Sequence, residues 1–313
     1  MCLINSTHRQ KLTRFHCSNF EFEKKLSCSP LYLRHYKSEM ERDMAPHTTT
    51  HTPINLLETS KKLWFICLLL AQVCFVTYLI LGYAVTGITH GLSQWTRLNN
   101  TAYIANDMTG NVMYAAHVLL AVIMIIGGSL QLIPTLRAKY KTFHRYNGYV
   151  FVILACCISL AGLYLIIVRG TVGNTLMHAL TMFGGLLVIV SSIFAVKTAR
   201  ARNIHAHQIW AIRLYLAANG VLFFRLMIFA WFIVFGSLGI DTATFTGPTV
   251  IFISLCSYVF PILIAELVRY AAKKTSHRLI TLTCACLMLL ISAIFLTGLF
   301  GVVLASWYPA IVA

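Results

Sequence analysis

The sequence predicts an all-α polytopic membrane protein, and three observations carry that prediction. Of its 313 residues, 58% are hydrophobic and 11% are charged, against roughly 25% charged in a soluble domain. Seven stretches (63–86, 112–135, 147–168, 176–196, 209–235, 249–272 and 279–305) are apolar over the span length that a membrane helix needs, about 20 residues. Lys and Arg then fall almost wholly in alternate connections, as the positive-inside rule requires.

Those cations set the topology. Residues 1–62 hold 10 of them, 137–145 hold 4 (Arg137, Lys139, Lys141, Arg145), 197–202 hold 3 (Lys197, Arg200, Arg202) and 269–278 hold 4 (Arg269, Lys273, Lys274, Arg278), which is 21 of 25. The opposite side has Arg97 and Arg169, and the remaining two, Arg213 and Arg225, lie within the fifth span. This places the N-terminus in the cytoplasm and the tail 306–313, with Trp307 and Tyr308, outside a cell membrane such as a bacterial inner membrane. The net charge of +16 is thereby explained by topology, not by a nucleic-acid partner.

Three parts follow: a basic cytoplasmic segment 1–62, a seven-helix domain 63–305 and a short external tail 306–313. Residues 1–43 read as a poorly ordered extension, and Met44 is an alternative start. No apolar signal core opens the chain. Cys67, Cys74, Cys156, Cys157, Cys256, Cys284 and Cys286 lie inside apolar runs without metal-ligand spacing and read as packing residues.

The histidines carry the functional expectation. His117 is near the start of the second span, His144 just before the third, His178 at the start of the fourth and His207 just before the fifth. Because consecutive spans alternate in direction, His117 and His178 are expected at one depth on the outer side, and His144 and His207 on the inner side. Two imidazoles on facing helices are what a bis-histidine haem uses. The second to fifth spans then form a four-helix core, with one haem in each leaflet.

His117, Ala121, Met124, Gly128 and Gln131 form one helical stripe, and His178, Met182, Gly185 and Ser192 another. The pairs Gly127-Gly128 and Gly184-Gly185 admit either a flat macrocycle or a neighbouring helix. On a straight fifth span, Arg225 shares a stripe with His207 and lies about 27 Å further along, level with the outer pair. Its partner is expected to be a haem propionate, a substrate carboxylate or Asp241. Arg213 serves the inner site or snorkels to the interface. Two other readings stay open at these residues: interfacial histidines, and a non-haem metal or transport site.

His117 with Gly127, Gln131 and Arg137, then His144-Arg145-x-x-Gly148-Tyr149, Gly162 and His207-x-x-Trp210-x-x-Arg213, resemble a family of uncharacterised polytopic bacterial membrane proteins, a domain of unknown function. That family usually has Arg and Met where Gln208 and Ala211 stand. The order of histidines is also similar to transmembrane di-haem b cytochromes. This likeness implies His117 and His178 as outer axial ligands and His144 and His207 as inner ones. The expected function is transmembrane electron transfer through b-type haem, with a quinone or metal chelate as redox partner. The alternatives are a small-solute transporter or sensor that binds an anion through Arg225, and a structural membrane protein without cofactor. Hydrolase and phosphate-loop motifs are absent.

The cation asymmetry generates a direct test. Reporter fusions at Lys141, Arg202 and Lys274 should report the cytoplasm, and fusions at Leu98, Gly173 and Ala313 the outside; one site on the wrong face would overturn the seven-span topology.

Overall fold

A computed structural model describes residues 53–273 and 277–312. The expected N-terminal segment up to residue 52, with the alternative start at Met44, lies outside the described residues, as do Lys274 and Ala313. The described chain is helical: α1 (Pro53–Leu79), α2 (Met108–Leu132), α3 (Lys141–Arg169), α4 (Thr175–Arg200), α5 (Ile204–Ala218), α6 (Gly220–Phe235), α7 (Pro248–Ala271) and α8 (Arg278–Val302). Among the described residues, six helices are long and apolar enough to cross a membrane, and α5 with α6 makes a seventh span if the pair is counted as one. Exposed Ile66, Val73, Ile153, Leu263 and Phe300 give the bundle the apolar exterior that lipid requires.

Local chemistry sets the helix ends. Asp107, Asn174 and Asn203 accept from the backbone N–H of Gly110 (2.9 Å), Met177 (3.2 Å) and Ala206 (3.1 Å), capping α2, α4 and α5. Pro248 occupies the first turn of α7, where its missing N–H costs nothing. The first connection is shorter than expected, because α1 continues through a π-helical turn, Ile80–Val85, into Thr86–His90, followed by a 3₁₀ turn, Leu92–Arg97. At the other end, α8 continues through Val303–Trp307 into Tyr308–Val312, so most of the expected external tail is helical. α2 packs on α3, α1 on α8, α4 on α5, α6 on α8 and α3 on α4.

The fifth span is not straight. It bends by 52° at Asn219, between α5 and α6, so the single stripe from His207 to Arg225 does not exist as expected. Asn219 has φ −91° and ψ 2°, outside helical values, and its side chain compensates for the break. Its Nδ2 donates to Tyr215 O (2.8 Å), and its Oδ1 accepts from Gln72 Nε2 of α1 (2.8 Å). Ser129 of α2 donates to Gln72 Oε1 (2.6 Å), and the Tyr215 hydroxyl lies 3.0 Å from Gln72 Nε2. All four side chains are buried. Two other spans, α1 and α2, are thus joined to the bend through one glutamine amide.

The glycine pairs receive neighbouring side chains. A Cβ on Gly127 would stand 3.0 Å from Asn147 Oδ1, one on Gly128 2.7 Å from Phe151, and one on Gly184 would collide with Tyr258. Of the two expectations for these pairs, close helix approach is the one this packing realises.

Gln72→Leu should leave the Asn219 and Ser129 polar groups without their interhelical partner. The expected loss is roughly 1–2 kcal/mol, read as a lower midpoint of unfolding in mixed detergent; an unchanged midpoint would show that the bend holds itself.

Candidate functional site

Inside the bundle, on the half that carries Arg169, lies a cavity of about 610 Å³. Organic ligands occupy sites of roughly 300–1,000 Å³. Its polar side chains converge from different elements: Tyr114 and His117 from α2, Asn219 at the bend, Arg225 from α6 and Tyr258 from α7. Phe75 and Tyr78 of α1 and Thr181 of α4 also line it, so the site draws on the first and sixth spans as well as the expected four-helix core.

His117 is held in one orientation. Its Nδ1 lies 2.9 Å from Ile158 O of α3, and a carbonyl can only accept, so Nδ1 carries the proton. In the neutral ring Nε2 keeps its lone pair. Gly162 makes room for this ring, since a Cβ there would stand 3.0 Å from its Cε1.

His178 sits elsewhere. Its Nε2 is 2.8 Å from Thr171 O, and its ring rests against Gly170. His117 is nine residues into α2 and His178 only three into α4, a difference in depth of about 9 Å at 1.5 Å per residue. Gly162 and Gly170, their contacts on α3, are separated by about 12 Å on the same measure. The expectation of one depth for the two is therefore corrected. Hydropathy begins the second span at residue 112, whereas the Asp107 cap adds a polar turn before it.

Arg225 lines the cavity with His117 despite the bend. Its guanidinium lies over the Phe75 ring, 5.3 Å from the centroid. The described residues include four acids, and each is committed elsewhere. Glu58 pairs with Lys61, Asp107 with Arg169, and Glu266 with both Arg213 and Arg269. Asp241 is not the expected partner of Arg225, because its carboxylate accepts from Ala243 N and from Thr244 Oγ1 within its own turn. These bonds hold the Asp241 carboxyl below the usual carboxylate range. Arg225 is thus a cation facing a cavity, with no acid beside it among the described residues.

Residues 114–269 match the family described as "Predicted membrane protein (DUF2306)". This region of the chain belongs to that family. The match runs from α2 to α7 and includes all four histidines, Arg213 and Arg225. No curated protein and no solved structure matches the chain.

Within the matched region, several residues that carry the family resemblance make structural contacts. Gln131 Nε2 donates to His144 O (3.0 Å), and Asn147 Nδ2 donates to Gly127 O (2.8 Å), joining α2 to α3. His207 Nδ1 donates to Ala195 O (3.0 Å). Trp210 stacks on Phe194 with centroids 4.6 Å apart, and Arg213 lies over Trp210 while binding Glu266 at 2.7 Å. Arg213 therefore ties α5 to α7 through Glu266. His144 and His207 are each the fourth residue of their helix, α3 and α5, at the basic end of the bundle. Neither lines the cavity. Among the described residues no three of His, Cys, Asp and Glu gather as a metal-binding group.

Sequence reasoning passed over the residues that close the cavity's end. The Arg169 side chain is 2% exposed. Its Nε and Nη2 donate to Asp107 Oδ2 (2.9 and 2.6 Å), Nη2 also to Asn111 Oδ1 (2.7 Å), and Nη1 to Thr101 O (2.9 Å). One guanidinium thus fastens the connection before α2 onto the end of α3, and Arg169 and Thr101 both line the cavity. The Gly110 N–H, followed by Arg169, holds the Asp107 carboxyl below the usual carboxylate range.

A folded value below the unfolded one, about 3.9 for Asp, means that this stabilisation is complete above that pH and is lost as pH falls through the folded value. The advantage of the wild type over Asp107→Asn in thermal midpoint should therefore be constant near neutrality and shrink on acidification below about pH 4. A difference independent of pH would remove the carboxylate's charge from the account.

Proposed function

We propose that the cavity holds b-type haem and that the protein conducts electrons through the membrane; His117 Nε2 would hold the iron and Arg225 would meet a propionate. The observation that carries this reading is the His117 contact. A ligating histidine characteristically donates its other ring N–H to a carbonyl or carboxylate, as His117 does to Ile158 O. A cavity of about 610 Å³ suits an organic cofactor, and an intramembrane arginine without an acid suits a ligand carboxylate. Haem, when bound, supplies the one-electron chemistry. The chain orients the imidazole, supplies positive charge through Arg225 and closes the end of the cavity through Arg169.

His178 does not fit as a second residue that would hold this haem, because its Nε2 is engaged by Thr171 and its depth differs. His144 and His207 stand as the pair for an inner haem, with His207 Nε2 left unbonded by the Ala195 contact. The redox partner on this reading is a quinone or a metal chelate, and the orientation is N-terminus in the cytoplasm of a cell membrane. One observation favours a second reading: the same Arg225, facing a cavity without an acid, suits a small anionic solute that is transported or sensed.

A reduced-minus-oxidised spectrum of the purified chain, with haem quantified, separates the two. The haem reading expects a b-type spectrum whose outer component His117→Ala removes and His178→Ala keeps. Arg225→Leu should lower that component's potential, because losing a positive charge favours the oxidised, more positive iron. A colourless protein would end the haem reading and leave the anionic-solute reading, tested by whether Arg225→Leu abolishes solute binding.

A further inference from the structure

A second concavity, a groove of about 540 Å³, runs between α3 and α4 at the basic end and is separate from the cavity of His117. Its walls include Val152, Ile193 and Val196, and Lys197 and Arg200 stand at its upper edge. Below them is Ser192, 1% exposed, whose Oγ has no hydrogen-bond partner among the described residues. By contrast, two other buried serines bond back to their own helices: Ser257 Oγ to Ser254 O (2.7 Å) and Ser292 Oγ to Met288 O (2.7 Å). A buried hydroxyl without a partner is costly, and a ligand that accepts from it is favoured accordingly.

We propose that this groove binds an anionic phospholipid. The features stand in the order of that molecule's parts. Lys197 and Arg200 occupy the last turn of α4, at headgroup level, and neither makes an ion pair among the described residues. Ser192 is five residues deeper than Lys197, about 7.5 Å along the helix, where an ester carbonyl follows a phosphate. The acyl chain then lies along Val152, Ile193 and Val196. Cations at the membrane surface attract anionic headgroups of any kind; the orphan hydroxyl beneath them is what makes this a site. The inference stands independently of what fills the His117 cavity.

The test uses the full chain, purified in neutral detergent and stripped of lipid. Phosphatidylglycerol and phosphatidylcholine are added at equal concentration, and retained adducts are counted by native mass spectrometry. Phosphatidylglycerol should be retained several-fold better, and the double variant Lys197→Gln with Arg200→Gln should lose that preference. Ser192→Ala should weaken phosphatidylglycerol retention while raising the thermal midpoint of the lipid-free protein, since it removes an unsatisfied hydroxyl. Glycerol 3-phosphate should not displace the adduct. Equal retention of the two lipids, a Ser192→Ala variant that retains phosphatidylglycerol like the wild type, or displacement by glycerol 3-phosphate would each overturn the proposal.

Discussion

Inside lipid, every polar group that leaves a helical ladder must find a partner within the protein, and the amide of Gln72 meets that constraint at the bend of the fifth span. It accepts from Ser129 and donates to Asn219, whose own amide covers Tyr215 O. Without such a partner the helix would straighten or lose buried hydrogen bonds. The 52° bend turns α6 away from the line of α5 and so determines where Arg225 points. Tyr258 then packs against Gly220 just beyond the bend and against Gly184 of α4, completing a wall of the cavity.

A second regularity is the allocation of charge. Arg169, Arg213 and Arg269 each have a carboxylate, and each joins or edges elements near the ends of the bundle. Arg225 has an aromatic ring instead. A matched pair is structurally sufficient in itself, whereas an intramembrane cation that meets a ring and a cavity leaves its electrostatic demand to be met by something else. His117, with one nitrogen bound to Ile158 and the other unbonded, shows the same incompleteness on the facing side. Both groups line one cavity, and the polar contacts around them belong to the scaffold.

The spans were legible in the sequence, because hydropathy reads lipid contact directly, and His117 and Arg225, singled out by residue type, both line the cavity. Depth was not, since hydropathy skips the polar first turn of α2 that Asp107 caps, and this shifts His117 relative to His178. The bend had a signal in Asn219-Gly220, two residues that commonly end helices, but an apolar window running from 209 to 235 obscures it. Arg169 and Asp107 are 62 positions apart, and nothing local to either identifies the other. The same holds for Gln72 and Asn219, 147 apart. Long-range polar pairing is the part of the fold that composition and periodicity do not encode.

Arg225 lies ten residues from the Phe235 end of α6, about 15 Å along the helix. Any anion that reaches it from that end enters the region across which the membrane potential falls. A charge crossing the whole membrane changes energy by about 2.3 kcal/mol per 100 mV, and a charge stopping part-way changes by the corresponding fraction. For an anion held beside Arg225, occupancy would therefore be coupled to voltage, and an energised membrane and a detergent micelle would present the same cavity with different affinities.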